Sequence, residues 1–442
     1  MDAVSSENLA SAPCRAAPAA AELVVAKTTR RLLPFLVACF FVAYLDRVNI
    51  GFAALTMNKE LGFSPTVYGW GAGVFFFGYC LLEAPSNVIL ERVGARLWIA
   101  RIMVSWGIIS AAMGLVWNDA SFLALRFLLG AAEAGFSPGV ILYLTYWLPA
   151  PYRARGFGMF LLALPLATAI GAPLSGLVLS TMDGVAGASA WRWLFFIEAA
   201  PAILLGVAAY FYLTDKPQDA GWLDPQERNL LQGLLENEKP HDAGKHESLW
   251  RMLLDATTVR LGLIYFGVVA ALYGLGFWLP QIVSGFGYDP VGAGMVTALP
   301  YVCGGVAMAL WSRRSDRRGE RILHTASAAV LAAAGLAAAA FFKTPLPAIV
   351  ALTTASVGTL AAMPPFWTLP PALLRGSAAA IGIAMVNSIG NLAGFFGPYL
   401  VGWIKETTGE FSYALLALSA APLISAAMLI AMRRDGGRPK GR

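Results

Sequence analysis

The chain has 442 residues, of which 58% are hydrophobic and 13% charged. Soluble domains carry about 25% charged residues, so this composition excludes a large soluble protein and points to one that lives in a bilayer. The formal net charge of +6 could suggest a nucleic-acid partner, but its distribution along the chain argues against one.

A membrane-spanning helix needs about 20 apolar residues. Twelve such segments are expected, near 32–55, 67–90, 97–117, 121–148, 156–181, 192–213, 260–284, 291–312, 322–342, 346–368, 376–403 and 411–432. Residues 1–31 contain Glu7, Glu22 and Pro13 and no apolar core before a cleavage site, so they read as a cytoplasmic tail. With both termini in the cytoplasm, only Lys59, Arg192, Lys343 and Lys405 fall outside. Arg47 and Arg126 lie within spans, which leaves 26 of the 32 Lys and Arg on the inner side. That bias orients the chain by the positive-inside rule.

The first span carries Asp46 and Arg47, and the fourth carries Arg126 and Glu133. Charges at bilayer depth cost about 2.5–3.5 kcal/mol each on insertion scales, so they pair up and mark ion or substrate pathways. Asp46 and Arg47 are neighbours and point about 100° apart on a helix, so each needs a partner elsewhere. Arg126 and Glu133 are seven apart and share a face at about 10 Å, too far for a direct bridge. That leaves room for crossed pairs, such as Asp46 with Arg126. Glu83 and Glu198 also fall in apolar spans and read as structural, at helix interfaces or caps. Tyr44 and Tyr79, at similar depth on the first two spans, suit a cavity that offers hydroxyls to a polar solute.

The chain repeats once. Glu91-Arg92-Val93-Gly94-Ala95-Arg96 follows the second span, and Asp316-Arg317-Arg318-Gly319-Glu320-Arg321 follows the eighth, 225 residues on. Pro173 and Pro398 keep the same spacing. Six spans plus six, with matching landmarks, predict two related halves with a binding site between them near the midplane. The organisation expected is a tail 1–31, a six-helix bundle 32–213, a cytoplasmic linker 214–259, a second bundle 260–432 and a basic tail 433–442 against anionic headgroups. In the linker, Asp224-Pro225-Gln226-Glu227 has the form of a helix start, predicting an amphipathic helix over 225–238 within a tether.

The second half has no acid or base in mid-span. Its polar candidates are Trp278 and Gln281 on the seventh span, Trp367 on the tenth, and Asn387 and Asn391, which share a face of the eleventh. They are expected to form the substrate wall, leaving proton and carboxylate chemistry to the first half.

Cys14, Cys39, Cys80 and Cys303 form no CxxC pair, which excludes a disulfide framework and a thiolate metal site. His241, His246 and His324 adjoin no nucleophile or acid arrangement, and no phosphate-binding GxxxxGK[ST] occurs. Neither an enzyme, a cofactor nor an ATP-driven engine is expected.

These residues resemble the major facilitator superfamily, whose signature loops the two acid–Arg–x–Gly–x–Arg runs match. Glu91 stands where that family usually has Asp. The stretches Tyr44–Gly51, Glu83–Asn87, Arg126–Gly135 and Trp191–Glu198 narrow the resemblance to its anion:cation symporter family, and within it to bacterial carriers of tartrate, phthalate and sugar acids. The resemblance implies an all-α inner-membrane protein with twelve transmembrane helices in two halves, which takes up a small organic anion with protons by alternating access. It implies that Arg47 holds the substrate carboxylate, that Asp46 and Glu133 are the proton-responsive acids, and that Arg126 pairs with an acid. The runs Glu91, Arg92, Gly94, Arg96 and Asp316, Arg317, Gly319, Arg321 would be gating loops. A Gly-Pro dipeptide in the fifth span is associated with antiporters in that superfamily, and Ala172-Pro173 here fits symport, although Gly397-Pro398 occurs in the other half. The alternatives are an anion exchanger, a drug/proton antiporter or a transporter-like membrane sensor.

Overall fold

The computed structural model describes residues 16–236, 255–374 and 379–436, and among these there is no strand. Part of the linker, with His241 and His246, and the last residues of the basic tail lie outside them. Eleven helical runs are long and apolar enough to cross a membrane. In chain order they are α1 (Ala20–Leu61), α2 (Pro65–Val93), α3 (Ala95–Leu115), α4 (Asp119–Thr145), α5 (Gly156–Thr181), α6 (Ala190–Tyr212), α7 (Ala256–Gly276), α8 (Pro290–Arg318), α9 (Ile322–Phe341), α10 (Pro345–Leu373) and, last, α12 (Phe411–Arg434). The helix Ala379–Thr408 is α11 and packs among them. The chain is thus a multi-pass membrane protein with the twelve helices expected. Helix begins at Ala16, well before the expected start of the first span at residue 32.

The caps explain several starts. Ser64 accepts from the Val67 amide with Pro65 at the first helical position. Asp289 accepts from the Gly292 amide with Pro290 at the first position. These two starts are 225 residues apart, so the repeat extends to helix capping. At α4 the Asn118 side chain and Ser121 form a reciprocal capping box.

Helices α1–α6 pack as one group and α7–α12 as another. The groups meet along two diagonal seams, α2 on α11 and α5 on α8, and through the ends of α1 and α7. Both seams are built the same way. A Cβ on Gly402 would strike the Pro65 carbonyl, and one on Gly176 would strike that of Pro290. A Cβ on Gly69 would strike the Pro398 carbonyl, and one on Gly294 that of Ala172. Small residues permit this backbone-on-backbone approach.

Twelve crossings put the start of α1 and the end of α12 at one end, called here the near end. The seams close the opposite, far end. There Ser64 donates to the Glu406 carboxylate at 2.7 Å, the Thr66 amide donates to it at 2.8 Å, and the Tyr68 hydroxyl donates to the Phe277 carbonyl at 2.8 Å. At the near end the linker helix Pro225–Glu236 is fastened to the first group. Lys27 pairs with Glu227 at 2.6 Å, and Trp222 stacks on Trp147 at 5.4 Å.

Candidate functional site

Arg47 lies where the two groups meet. One terminal nitrogen pairs with the Glu133 carboxylate of α4, and the other donates to the Tyr273 hydroxyl of α7 at 3.0 Å. Glu133 closes the first segment of α4, Asp119–Glu133, and the helix resumes at Phe136. The break falls on Gly135, whose φ of +84° is a left-handed value open to glycine. A Cβ there would also strike Ser86. The guanidinium carbon of Arg47 sits 5.2 Å from the Phe75 ring centre, 5.5 Å from Tyr79 and 5.9 Å from Tyr44. Tyr44 is within electrostatic reach of Tyr265, Tyr273 and Tyr301 from the second group. The site is a buried guanidinium in a cage of phenol and phenyl rings, with one acid on it.

Around this centre Asn387 donates to the Glu83 carboxylate at 2.9 Å, a bond between α11 and α2. Glu83 thus binds across the groups, one helical turn from Tyr79. Trp367 is half-buried with its ring 4.8 Å from Tyr265, and Asn391 is half-buried on the Asn387 face.

Three expectations are corrected. Asp46 and Arg126 do not pair. The Asp46 carboxylate accepts from Trp106 at 2.9 Å and from Ser110 at 3.1 Å, both on α3. Among the described residues Arg126 pairs with no acid. It donates to the carbonyls of Gly71 and Ala72 on α2, at 3.0 and 3.1 Å, and lies 5.2 Å from the Phe75 ring that Arg47 also covers. The reason is direction: Asp46 looks into the first group toward α3, while Arg126 looks toward α2. Trp278 and Gln281 are not at the Arg47 centre. α7 breaks at Phe277 and resumes at Leu279, so both side chains belong to the far-end closure. Trp278 donates to the Pro398 carbonyl at 3.1 Å and packs edge-on against Tyr68 at 4.8 Å. Gln281 faces Tyr68.

The first signature loop is closed by a residue outside its own run. Glu91 and Arg92 are exposed, and Asp215, just past α6, closes that loop instead. Its carboxylate accepts from the Arg96 amide at 2.8 Å and fills the space beside Gly94, whose φ is +98°. In the second loop Asp316 does pair with Arg321, at 2.6 Å, across Gly319, while Arg317 is exposed. Glu320 there accepts from the amides of Leu323 and His324 at 2.7 and 3.0 Å and lies 2.8 Å from the His324 ring. Burial alone would raise the Glu320 carboxyl, but these two amides and the ring outweigh it and hold it below the usual carboxylate range.

Sequence reasoning missed Tyr265, Tyr273 and Tyr301. Tyr265 and Tyr273 are eight apart on α7 and so share a face, a signal that was readable. It missed Asp215 because nothing in the loop spacing points 119 residues downstream.

The description Major Facilitator Superfamily matches residues 36–398. An Agrobacterium vitis protein named "Putative tartrate transporter" is 50% identical over 412 residues, covering 93% of this chain and 92% of its own. An Acinetobacter baumannii protein named "Quinolone resistance transporter" is 39% identical, covering 90% of this chain and 92% of its own. Among solved structures, a bacterial homologue of the human lysosomal transporter Spinster, inward-facing and occupied, superposes with a TM-score of 0.75 at 17% identity, covering 91% of this chain and 96% of that one.

Proposed function

The chain belongs to the major facilitator superfamily, a family of membrane transporters, and from that premise we propose that it carries a small organic anion together with protons. The reading assigns the near end to the cytoplasm of a bacterial inner membrane, so the far-end closure corresponds to an inward-facing state. The name of the Agrobacterium vitis relative supports a hydroxy dicarboxylate such as tartrate as cargo.

The observation that carries the reading is Arg47 held between Glu133 and Tyr273. A guanidinium fork matches a carboxylate in two parallel bonds, and such charge-assisted bonds are strong where water is scarce. An arriving carboxylate can take that fork only by displacing Glu133. A displaced, buried carboxylate without its cation is costly, and a proton relieves it. Anion and proton therefore arrive together. Asp46 is the second acid of the pathway, Arg126 holds α2 and Phe75 in place behind Arg47, and Glu83, Asn387, Asn391 and Trp367 complete the wall. The two signature loops gate the near end.

The test is direct. Protein in liposomes loaded with a pH dye receives external tartrate. The interior acidifies, and the signal is absent in Arg47→Ala. An interior that stays unchanged or turns alkaline overturns symport. Drug/proton antiport is a second reading, favoured by the name of the Acinetobacter baumannii relative. It requires a quinolone to move protons against its own direction in the same liposomes.

A further inference from the structure

A second polar cluster is buried inside the first helix group, away from Arg47. Glu198 of α6 is 1% exposed, and one of its oxygens accepts from the Ser175 hydroxyl of α5 at 2.6 Å. Its other oxygen is buried without a hydrogen-bond partner. Facing it is Asn49 of α1, whose amide oxygen and nitrogen are also buried and unpartnered. Asn49 lies one helical turn beyond Asp46, on the same face of α1.

We propose that Glu198 is the far-side intake of a proton path that runs by Asn49 to Asp46 and is separate from the path of the anion. Buried polar atoms are almost always satisfied, so the Asn49 amide, within hydrogen-bonding reach of Glu198, and the open positions around both call for water between the two acids. Chains of acids inside a membrane protein commonly relay protons. The surroundings suit this use. α1 presents Asp46 to Glu198, α5 presents Ser175, α3 presents Trp106 and Ser110 to Asp46, and α4 presents Glu133 to Asp46; among the described residues no base acts on Glu198. Seven residues before Glu198 on α6, about 10 Å toward the far end, Trp191 donates to Glu60 at 2.8 Å, and Glu60 pairs with Arg192 at 3.3 Å. A proton from far-side water binds the free oxygen of Glu198. It then passes through pocket water positioned by Asn49 to the Asp46 carboxylate. Only O–H bonds form and break, and Glu198 ends as it began.

This inference rests on the proton-coupled reading, and the experiment separates the two. Wild-type protein in liposomes is assayed for tartrate counterflow at equal pH and for tartrate accumulation driven by a pH gradient. Absence of gradient-driven accumulation in the wild type overturns both. Given that accumulation, Glu198→Gln keeps counterflow within about twofold while accumulation falls roughly a hundredfold, the scale of a lost proton-transfer group. Glu198→Asp recovers most of it. Accumulation equal to the wild type, or an equal loss in both modes, overturns the relay. A measurement without solute covers the case in which Glu198→Gln does not fold. In infrared pH-difference spectra of the full chain, the carboxyl band displaced by Glu198→Asp changes its pH midpoint in Asp46→Asn. An unmoved midpoint overturns the proposal.

Discussion

Asp46 and Arg47 are adjacent in the chain and serve different faces of α1. The Asp46 carboxylate turns into the first helix group and takes the indole of Trp106 and the hydroxyl of Ser110. The Arg47 guanidinium turns to the second group and takes the hydroxyl of Tyr273. Two charges that would neutralise each other in solution are kept apart by one helical step.

The Arg47 fork makes the first prediction. Arg47→Lys keeps the charge but loses the planar pair of donors and the stacking on Phe75 and Tyr79. Tartrate affinity is expected to fall roughly a hundredfold, about 3 kcal/mol. Titration calorimetry on the purified protein measures it; an affinity within a few-fold of the wild type would place the anion elsewhere.

Glu133 makes the second. In the wild type, tartrate affinity should strengthen as pH falls, because a protonated Glu133 releases Arg47 to the anion. Glu133→Gln should bind with an affinity that is flat with pH. The unliganded variant should also lose stability, by up to about 3–5 kcal/mol, because Arg47 is left buried without its anion. Bound tartrate should restore much of that loss in a thermal-shift assay. A wild-type affinity independent of pH would rule out this exchange of partners.

The seams make the third. Gly176→Leu inserts a side chain against the Pro290 carbonyl, where not even a Cβ fits. The far end should be pried apart, and spin-label distances across it should lengthen. Gly158→Leu, at a position with open space around it, is the control and should leave them unchanged. Equal distances in both variants would mean the seam yields elsewhere.

Glu320 makes the fourth. Its carboxyl is held below the usual range by the Leu323 and His324 amides, against the opposing effect of its burial. A depressed carboxyl contributes stability above its unfolded value, about pH 4.3, and loses it as pH falls through the folded value. Glu320→Gln should therefore lower the melting temperature at neutral pH, and the gap from the wild type should close in acid. A gap constant from pH 7 to pH 3 would show that the cap acts without charge.

Much of this was readable beforehand, because apolar runs of spanning length have few fates. Spans, halves and the 225-residue repeat follow from composition and spacing alone. That Asp46 and Arg47 must diverge was also legible, since helix geometry fixes the angle between neighbours. Their partners were not. Asp46 chose Trp106 and Ser110, and Arg126 chose backbone carbonyls; a neutral donor or a carbonyl satisfies a buried charge without leaving any charge pattern in the chain. Trp278 was misassigned for a related reason. It lies only two residues past Gly276, where α7 breaks, and periodicity carried through a break points every later side chain the wrong way.

The matched glycine seams have a mechanical consequence. Where interlocked side chains would act as teeth, Gly69, Gly176, Gly294 and Gly402 leave smooth bearings of bare main chain. A joint of that kind can swivel without each rotamer having to be reset. Roughening it with a methyl group or more should freeze the machine in one posture, able to grip its cargo and unable to let it go on the other side.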